Sequence, residues 1–314
     1  MPIRSILDII LPIFLLIGAG YGIGRARIFS PEQIKGFARF VLLVALPALI
    51  FHSLATSPVQ AIFQPRFLLV YGMASLASFL CGYMWFRMRG RKSGAVSAVR
   101  AMGMSCSNSA FIALPMMVQI FGPAGVRPIA LSMIIENLLM LPLTFMLVEA
   151  GLGKHDSVGQ AIRGIMVGLM RSSLLIAIVM GGLFCLFSLS LPTPVDKAVT
   201  ILAGASAPLA LMAIGAGLAG VALRGRINSI ATISFGKLIV HPLMAVLLLS
   251  FFPIGDPLFR VSLLLLAAMP MASIFPLMAV RSDDVETCSA ALLLATTLSF
   301  FTLMIALAVL HPVP

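Results

Sequence analysis

Ser107-Asn108-Ser109-Ala110-Phe111-Ile112-Ala113-Leu114-Pro115 interrupts a hydrophobic span with serine, asparagine and proline. A helix facing lipid would carry none of these at that depth. Pro115 has no amide hydrogen to give, and its ring clashes with the carbonyl four residues back, so the helix is expected to open near 110–114. An opened backbone inside a bilayer persists only when it is buried in protein or lines a watery cavity. A second interruption lies far downstream, in Ala267-Ala268-Met269-Pro270-Met271-Ala272-Ser273-Ile274-Phe275-Pro276. Two broken spans, one in each half of a membrane protein, point to a transporter binding site.

The surrounding chain agrees with a membrane setting. Of its 314 residues 61% are hydrophobic and only 10% charged, and the mean hydropathy is +1.12. That excess of apolar surface implies an all-α polytopic membrane protein. The formal charge of +11 does not imply nucleic-acid binding. The basic residues lie between apolar spans rather than in a stripe interleaved with aromatics. Cys81, Cys106, Cys185 and Cys288 show no CxxC or metal spacing and read as small packing residues. The first nineteen residues look like a signal peptide, but the apolar run continues to Ile23 and reads as an uncleaved first span.

About twenty apolar residues cross the hydrocarbon, and on that rule ten spans emerge. They lie near 5–24, 34–55, 66–86, 94–120, 128–149, 161–187, 197–221, 230–252, 258–280 and 287–310. If the N-terminus lies outside, sixteen of the 21 basic residues flank the inner face. Only Arg4, Arg66, Arg127, Lys197 and Arg260 flank the outer one. The positive-inside rule therefore puts both termini outside. The hydrophilic break at 151–160 divides the chain into five spans within 1–150 and five within 161–314. An odd number per half starts the second half from the opposite side, as in an inverted-topology repeat. Leu46-Pro47-Ala48-Leu49 in the second span answers Ala207-Pro208-Leu209-Ala210 in the seventh, and the broken fourth span answers the broken ninth.

Several segments together resemble the auxin efflux carrier family, which includes the plant PIN-type carriers and many bacterial relatives. They are 45–51 (Ala-Leu-Pro-Ala-Leu-Ile-Phe), Asn108 seven residues before Pro115, 207–215, Lys237-Leu238-Ile239-Val240-His241-Pro242, and Ala268-Met269-Pro270. The resemblance covers nearly the whole chain. It implies a scaffold from spans 1, 2, 6 and 7 and a transport part from spans 3–5 and 8–10. It also implies fourth and ninth helices that unwind at prolines and cross, as in bile-acid symporters and sodium–proton antiporters. Relatives carry organic anions, auxin in plants and malonate or other carboxylates in bacteria. A homodimer through the scaffold is a further implication. One departure stands out: bacterial relatives often carry Arg-Asn-Pro where this chain has Arg171-Ser172-Ser173.

Asn108 is the first candidate for contact with substrate, since its amide both donates and accepts. Ser107 and Ser109 flank it, and Ser273 offers a hydroxyl in the second break. Half-helix N-termini after the breaks would add positive dipole ends for an anion. Pro115 and either Pro270 or Pro276 are the candidate crossover prolines. Glu136, followed by Asn137, falls eight or nine residues into the fifth span. A charged carboxylate there costs ~2.5–3.5 kcal/mol on insertion scales, so it should face protein or a cavity, where it could carry a proton or position substrate. Lys237 and His241 share one helix face. Lys237 is expected to snorkel to the inner surface, while His241 sits deeper and is a second candidate for proton coupling. His52 reads as an isolated residue at a span end, and Arg281, Asp283, Asp284 and Glu286 as a solvated turn. Gly18/Gly22, Gly20/Gly24 and Gly164/Gly168 fit close helix packing.

The sequence thus points to a secondary transporter, in the export direction, for a small organic anion in a bacterial inner membrane. No cofactor is expected beyond a candidate coupling proton, and the partners are the anion and membrane lipid. No nucleotide-binding loop or catalytic constellation is present, which disfavours ATP drive and an enzyme. A sodium-coupled bile-acid-like symporter and a non-transporting receptor on the same fold are the alternatives.

Overall fold

Prolines and short polar caps set where the helices begin. In the computed structural model, which describes residues 3–58, 64–90, 92–152, 167, 170–221 and 226–310, α1 spans Ile3–Arg25 and α2 spans Pro31–Ala55. Ser30 caps α2 reciprocally with Gln33, with Pro31 in the first turn. Next come α3 (Pro65–Met88), α4 (Gly94–Ser105) capped by Ser93, and α5 (Leu114–Phe121). A tight turn at Gly122 reverses the chain. Its φ of 61° favours glycine, and it leads into α6 at residues 126–151. Then follow α7 (Ser173–Leu186), α8 (Thr193–Leu218), α9 (Ile227–Phe251), α10 (Pro257–Ala268) capped by Asp256, α11 (Phe275–Met278) and α12 (Val285–Leu310).

This is an all-α polytopic membrane protein. Among the described residues seven helices are long and apolar enough to cross a membrane, and α7 and α10 are shorter apolar helices. Residues 153–160 of the linker expected at 151–160, the start of the sixth span, and Gly164 and Gly168 lie outside the described residues.

Helix packing falls into two groups. α1 lies along the second half of α8, and α2 packs on α7 and α8. Gly20 and Gly24 sit against the backbone of Met212 and Ala216, and Gly215 sits against Ile17, so bare backbones bring α1 and α8 together. Gly18 and Gly22, by contrast, face open space. The second group is built from α3, α4, α6, α9, α10 and α12, with α3 against both α4 and α9. The buried side chains form two continuous apolar clusters, one running from α1 through α3 to α12 and one around α4, α9 and α12.

The fourth span opens elsewhere than at 110–114. Residues Ser109–Ala113 form a wide π turn, and the unwound stretch lies just before it, where Cys106 is extended. The widened turn provides the reason. The Asn108 carbonyl accepts from both Ile112 and Ala113 at 3.2 and 3.0 Å. The extra residue in the turn accommodates the missing amide of Pro115, which displaces the loose backbone upstream. Similar wide turns precede Pro47, Pro142 and Pro242, at Val41–Ala45, Glu136–Met140 and Gly236–Val240.

Candidate functional site

The two interruptions pair with each other. Ser107 and Met271 form an isolated antiparallel bridge. The Asn108 amide donates to the Pro270 carbonyl at 2.9 Å, and the Ala272 amide donates to the Cys106 carbonyl at 3.1 Å. Each unwound stretch thereby satisfies the backbone groups that the other exposes, as a non-aqueous interior requires. Pro270 lies in this pairing, whereas Pro276 sits in the first turn of α11 and Pro115 in that of α5.

A cavity of about 420 Å³ opens beside the pair. Asn108, Ser109, Glu136, Asn137 and Ser273 all line it, together with Arg171. The Asn108 side-chain amide donates to the Ser273 hydroxyl at 2.9 Å, linking the two breaks a second time. The backbone amides of Ser109, Ala110 and Phe111, at the start of the wide turn, have no hydrogen-bond acceptor among the described residues. Asn137 turns its amide back to the Met133 carbonyl at 2.8 Å. The loop and first turn of α7 supply Arg171, Ser172 and Ser173 to the opposite wall. There Ser172 caps α7, and Ser173 donates to the Leu42 carbonyl at 3.1 Å.

Glu136 is held by hydroxyls. Tyr71 and Ser109 both donate to its Oε1, at 2.8 and 2.6 Å. The backbone amide of Ser107 also lies within reach of the carboxyl. Ser107 donates to the Leu266 carbonyl at 2.7 Å and lies 3.1 Å from the Tyr71 hydroxyl. The carboxyl is thus tied to both breaks through two short links. Tyr71, from α3, carries no motif and shares its span with Ser75, Ser78 and Tyr83, so nothing in the sequence singles it out.

Lys237 does not snorkel. It is fully buried, and its amino group donates to the Ala267 carbonyl at 2.7 Å and lies 3.0 Å from His241 Nδ1. The Ala267 carbonyl is one of those left without an intrahelical partner where α10 ends, at the negative end of the helix dipole. That is a better partner than the surface, because α3 and α10 close over this face of α9. His241 is buried as well. Where Nδ1 accepts from the lysine, Nε2 carries the hydrogen and faces the Ser75 hydroxyl at 3.2 Å. A second proton on the ring would have to displace the lysine.

Two further expectations are corrected. His52 is not isolated: its Nε2 lies 3.0 Å from Asp196, because α8 begins beside the end of α2. The turn at 281–286 is not simply solvated. Arg100, fully buried in α4, donates to both oxygens of Asp284 at 2.6 and 2.8 Å, and to Ser229 at 2.8 Å. Arg281 pairs with Glu149 and covers the Phe145 ring. Among the cysteines, Cys106, Cys185 and Cys288 are buried and Cys81 is exposed.

The family described as Membrane transport protein matches residues 5–307. A Rhizobium meliloti protein named "Putative malonate transporter" is 25% identical over 299 residues, covering 95% of this chain and 93% of its own length. An "Uncharacterized transporter" of Methanothermobacter thermautotrophicus is 28% identical over 303 residues, covering 94% of this chain and 95% of its own. The Escherichia coli K12 "Uncharacterized transporter YfdV" is 25% identical over 241 residues, 76% of each chain.

Proposed function

Because the chain belongs to the Membrane transport protein family, in agreement with its auxin efflux carrier resemblance, we propose that it carries a small organic anion by alternating access around the paired breaks. It is a membrane transporter, and its relatives are transporters rather than enzymes. The carboxylate class is the reading favoured by the site. The observation that carries it is the set of unpaired amides at Ser109, Ala110 and Phe111, opening onto a cavity that Asn108 and Arg171 also line. Free amides at a helical N-terminus attract negative charge, and a planar guanidinium suits a carboxylate. A cavity of this size is at the small end for ligand sites. The Rhizobium relative's name is consistent with a short dicarboxylate.

In this reading the chain forms two inverted five-span repeats, the breaks cross at Pro115 and Pro270, and the termini lie on the periplasmic side of a bacterial inner membrane. An inside-negative potential then drives a monoanion outward by ~2.3 kcal/mol per 100 mV, so export needs no coupling ion. Where a proton is coupled, Glu136 carries it, because it lines the cavity whereas both nitrogens of His241 are engaged. The sodium-coupled alternative is weakened by Lys237, whose amino group already occupies the Ala267 carbonyl at the end of α10.

Counterflow of labelled malonate, malate, succinate and indole-3-acetate into proteoliposomes tests the proposal. Saturable exchange of a carboxylate is expected in the wild type. Asn108→Ala should lower it at least tenfold, since the variant loses a substrate donor and the link to Ser273. Exchange that survives intact in Asn108→Ala moves the site elsewhere. Glu136→Gln should flatten the pH dependence of exchange; an unchanged profile removes Glu136 from the coupling step.

A further inference from the structure

The strongest unassigned feature lies away from the paired breaks, where α1 ends and α2 begins. A cleft of about 710 Å³ opens there, lined by Arg25, Arg27, Ser30 and Lys35. Among the described residues none of the three cations makes an ion pair. The fully exposed Glu32 lies near enough to Lys35 to feel its charge, so the cluster keeps a net positive charge. The opposite wall is the end of α8 and the two residues after it, where Ala216, Gly217, Ala219 and Gly220 offer almost no side chain. A Cβ built on Gly217 or Gly220 would meet nothing within 4 Å. Arg27 adopts a φ of 54°, uncommon for a residue other than glycine, where the chain leaves α1.

The basic cleft continues into an apolar one. A second groove of about 230 Å³ shares Phe29, Ile34 and Ala216 with the first and runs on between Ile23, Phe37 and Leu209. Positive charge at the end of membrane-crossing helices, continuous with an apolar furrow along them, has the chemistry of an amphiphile with an anionic head. Basic pockets between spans at the membrane surface suit phospholipid headgroups. We propose that this joint cleft holds one anionic phospholipid, its phosphate among Arg25, Arg27 and Lys35 and an acyl chain in the groove between α1, α2 and α8. A soluble anion would use the charges but leave the groove unfilled. The site is independent of the transported substrate. It sits on the α1–α8 contact, so the lipid would brace that contact during transport.

Native mass spectrometry of the full-length protein, titrated with phosphatidylglycerol or phosphatidylethanolamine, reads the first bound lipid directly. The wild type should take up the first phosphatidylglycerol at a concentration at least ~tenfold lower than phosphatidylethanolamine, whose own ammonium offsets its phosphate, since each of the three basic residues contributes about fivefold near a net negative charge. Arg25→Gln/Arg27→Gln/Lys35→Gln should abolish that preference, while Arg87→Gln/Arg89→Gln at the end of α3 should retain it. Gly217→Leu, which fills the cleft while keeping every charge, should weaken the first binding step and keeps the test open should the triple variant fold poorly. Equal uptake of the two lipids by the wild type would overturn the proposal. So would a preference surviving both the triple variant and Gly217→Leu, or one lost equally in the α3 control. Displacement of the first phosphatidylglycerol by equimolar inorganic phosphate or glycerol 3-phosphate would also overturn it, by showing an anion site that makes no use of the groove.

Discussion

Arg100 and Asp284 hold the middle of α4 against the entry to α12 through a two-pronged ion pair, with Ser229 of α9 taking a third guanidinium hydrogen. Arg100 also lies over the Phe86 ring. Removing one partner leaves the other charged group without compensation in a dry place, which costs about 3–5 kcal/mol. Asp284→Ala should therefore lower the melting temperature of the purified protein by many degrees, whereas Asp283→Asn, which tolerates the left-handed φ of 54° at that exposed turn, should leave it nearly unchanged. Equal melting of the two variants would mean that the pair contributes little. The sequence offered both residues but not their meeting, because 184 positions separate them and no local spacing encodes such a contact. Lys237 shows the same limit in reverse. Its spacing to His241 was legible, but whether the lysine reaches water depends on what covers its helix face, and that is decided by α3 and α10. Asn108 and Glu136 could be singled out because polar groups at membrane depth are costly wherever they occur.

Four wide turns, each ending one residue before a Leu-Pro or His-Pro step, are the recurrent device among the helices. One extra residue in a turn rotates everything upstream by roughly 100° relative to a regular helix. In the fourth span this sets the direction of Ser109 toward Glu136 and leaves its amide and those of Ala110 and Phe111 unpaired. Pro115→Ala restores the missing amide and allows an ordinary turn to form. Counterflow should fall at least tenfold while melting changes by only a few degrees, because the apolar packing of α5 is retained. Wild-type transport in this variant would show that the wide turn does not depend on the proline. Proline made the interruption legible, but not its location. Pro115 predicts a disturbed turn within the preceding five residues, while the place where backbone actually separates, at Cys106–Asn108, is fixed by the partner strand at Pro270–Ala272.

Across the whole molecule, the two packing groups meet along a seam in which α1 touches α12, and α2 touches α6. Hydropathy was enough to find the spans, and the matched breaks were enough to suggest which of them face each other. The grouping itself came only through the family resemblance, because apolar helix faces look alike whether they meet lipid or protein. Alternating access in the proposed form requires the second group, with the paired breaks and Glu136, to move as a body against α1, α2, α7 and α8. The seam contains one aromatic pair that reports on such motion: Phe14 of α1 meets Phe300 of α12 edge to face, with ring centroids 5.0 Å apart. Cysteines at these two positions, in a Cys81→Ser background that removes the exposed native thiol, can be bridged by a short bifunctional methanethiosulfonate reagent. The bridge should arrest counterflow, and dithiothreitol should restore it, while either single cysteine with the same reagent keeps its transport. Arrest that only the double variant shows would locate the movement at this seam. Full counterflow in the bridged protein would mean that the groups do not slide here, and the anion would have to pass through a rearrangement confined to the breaks themselves.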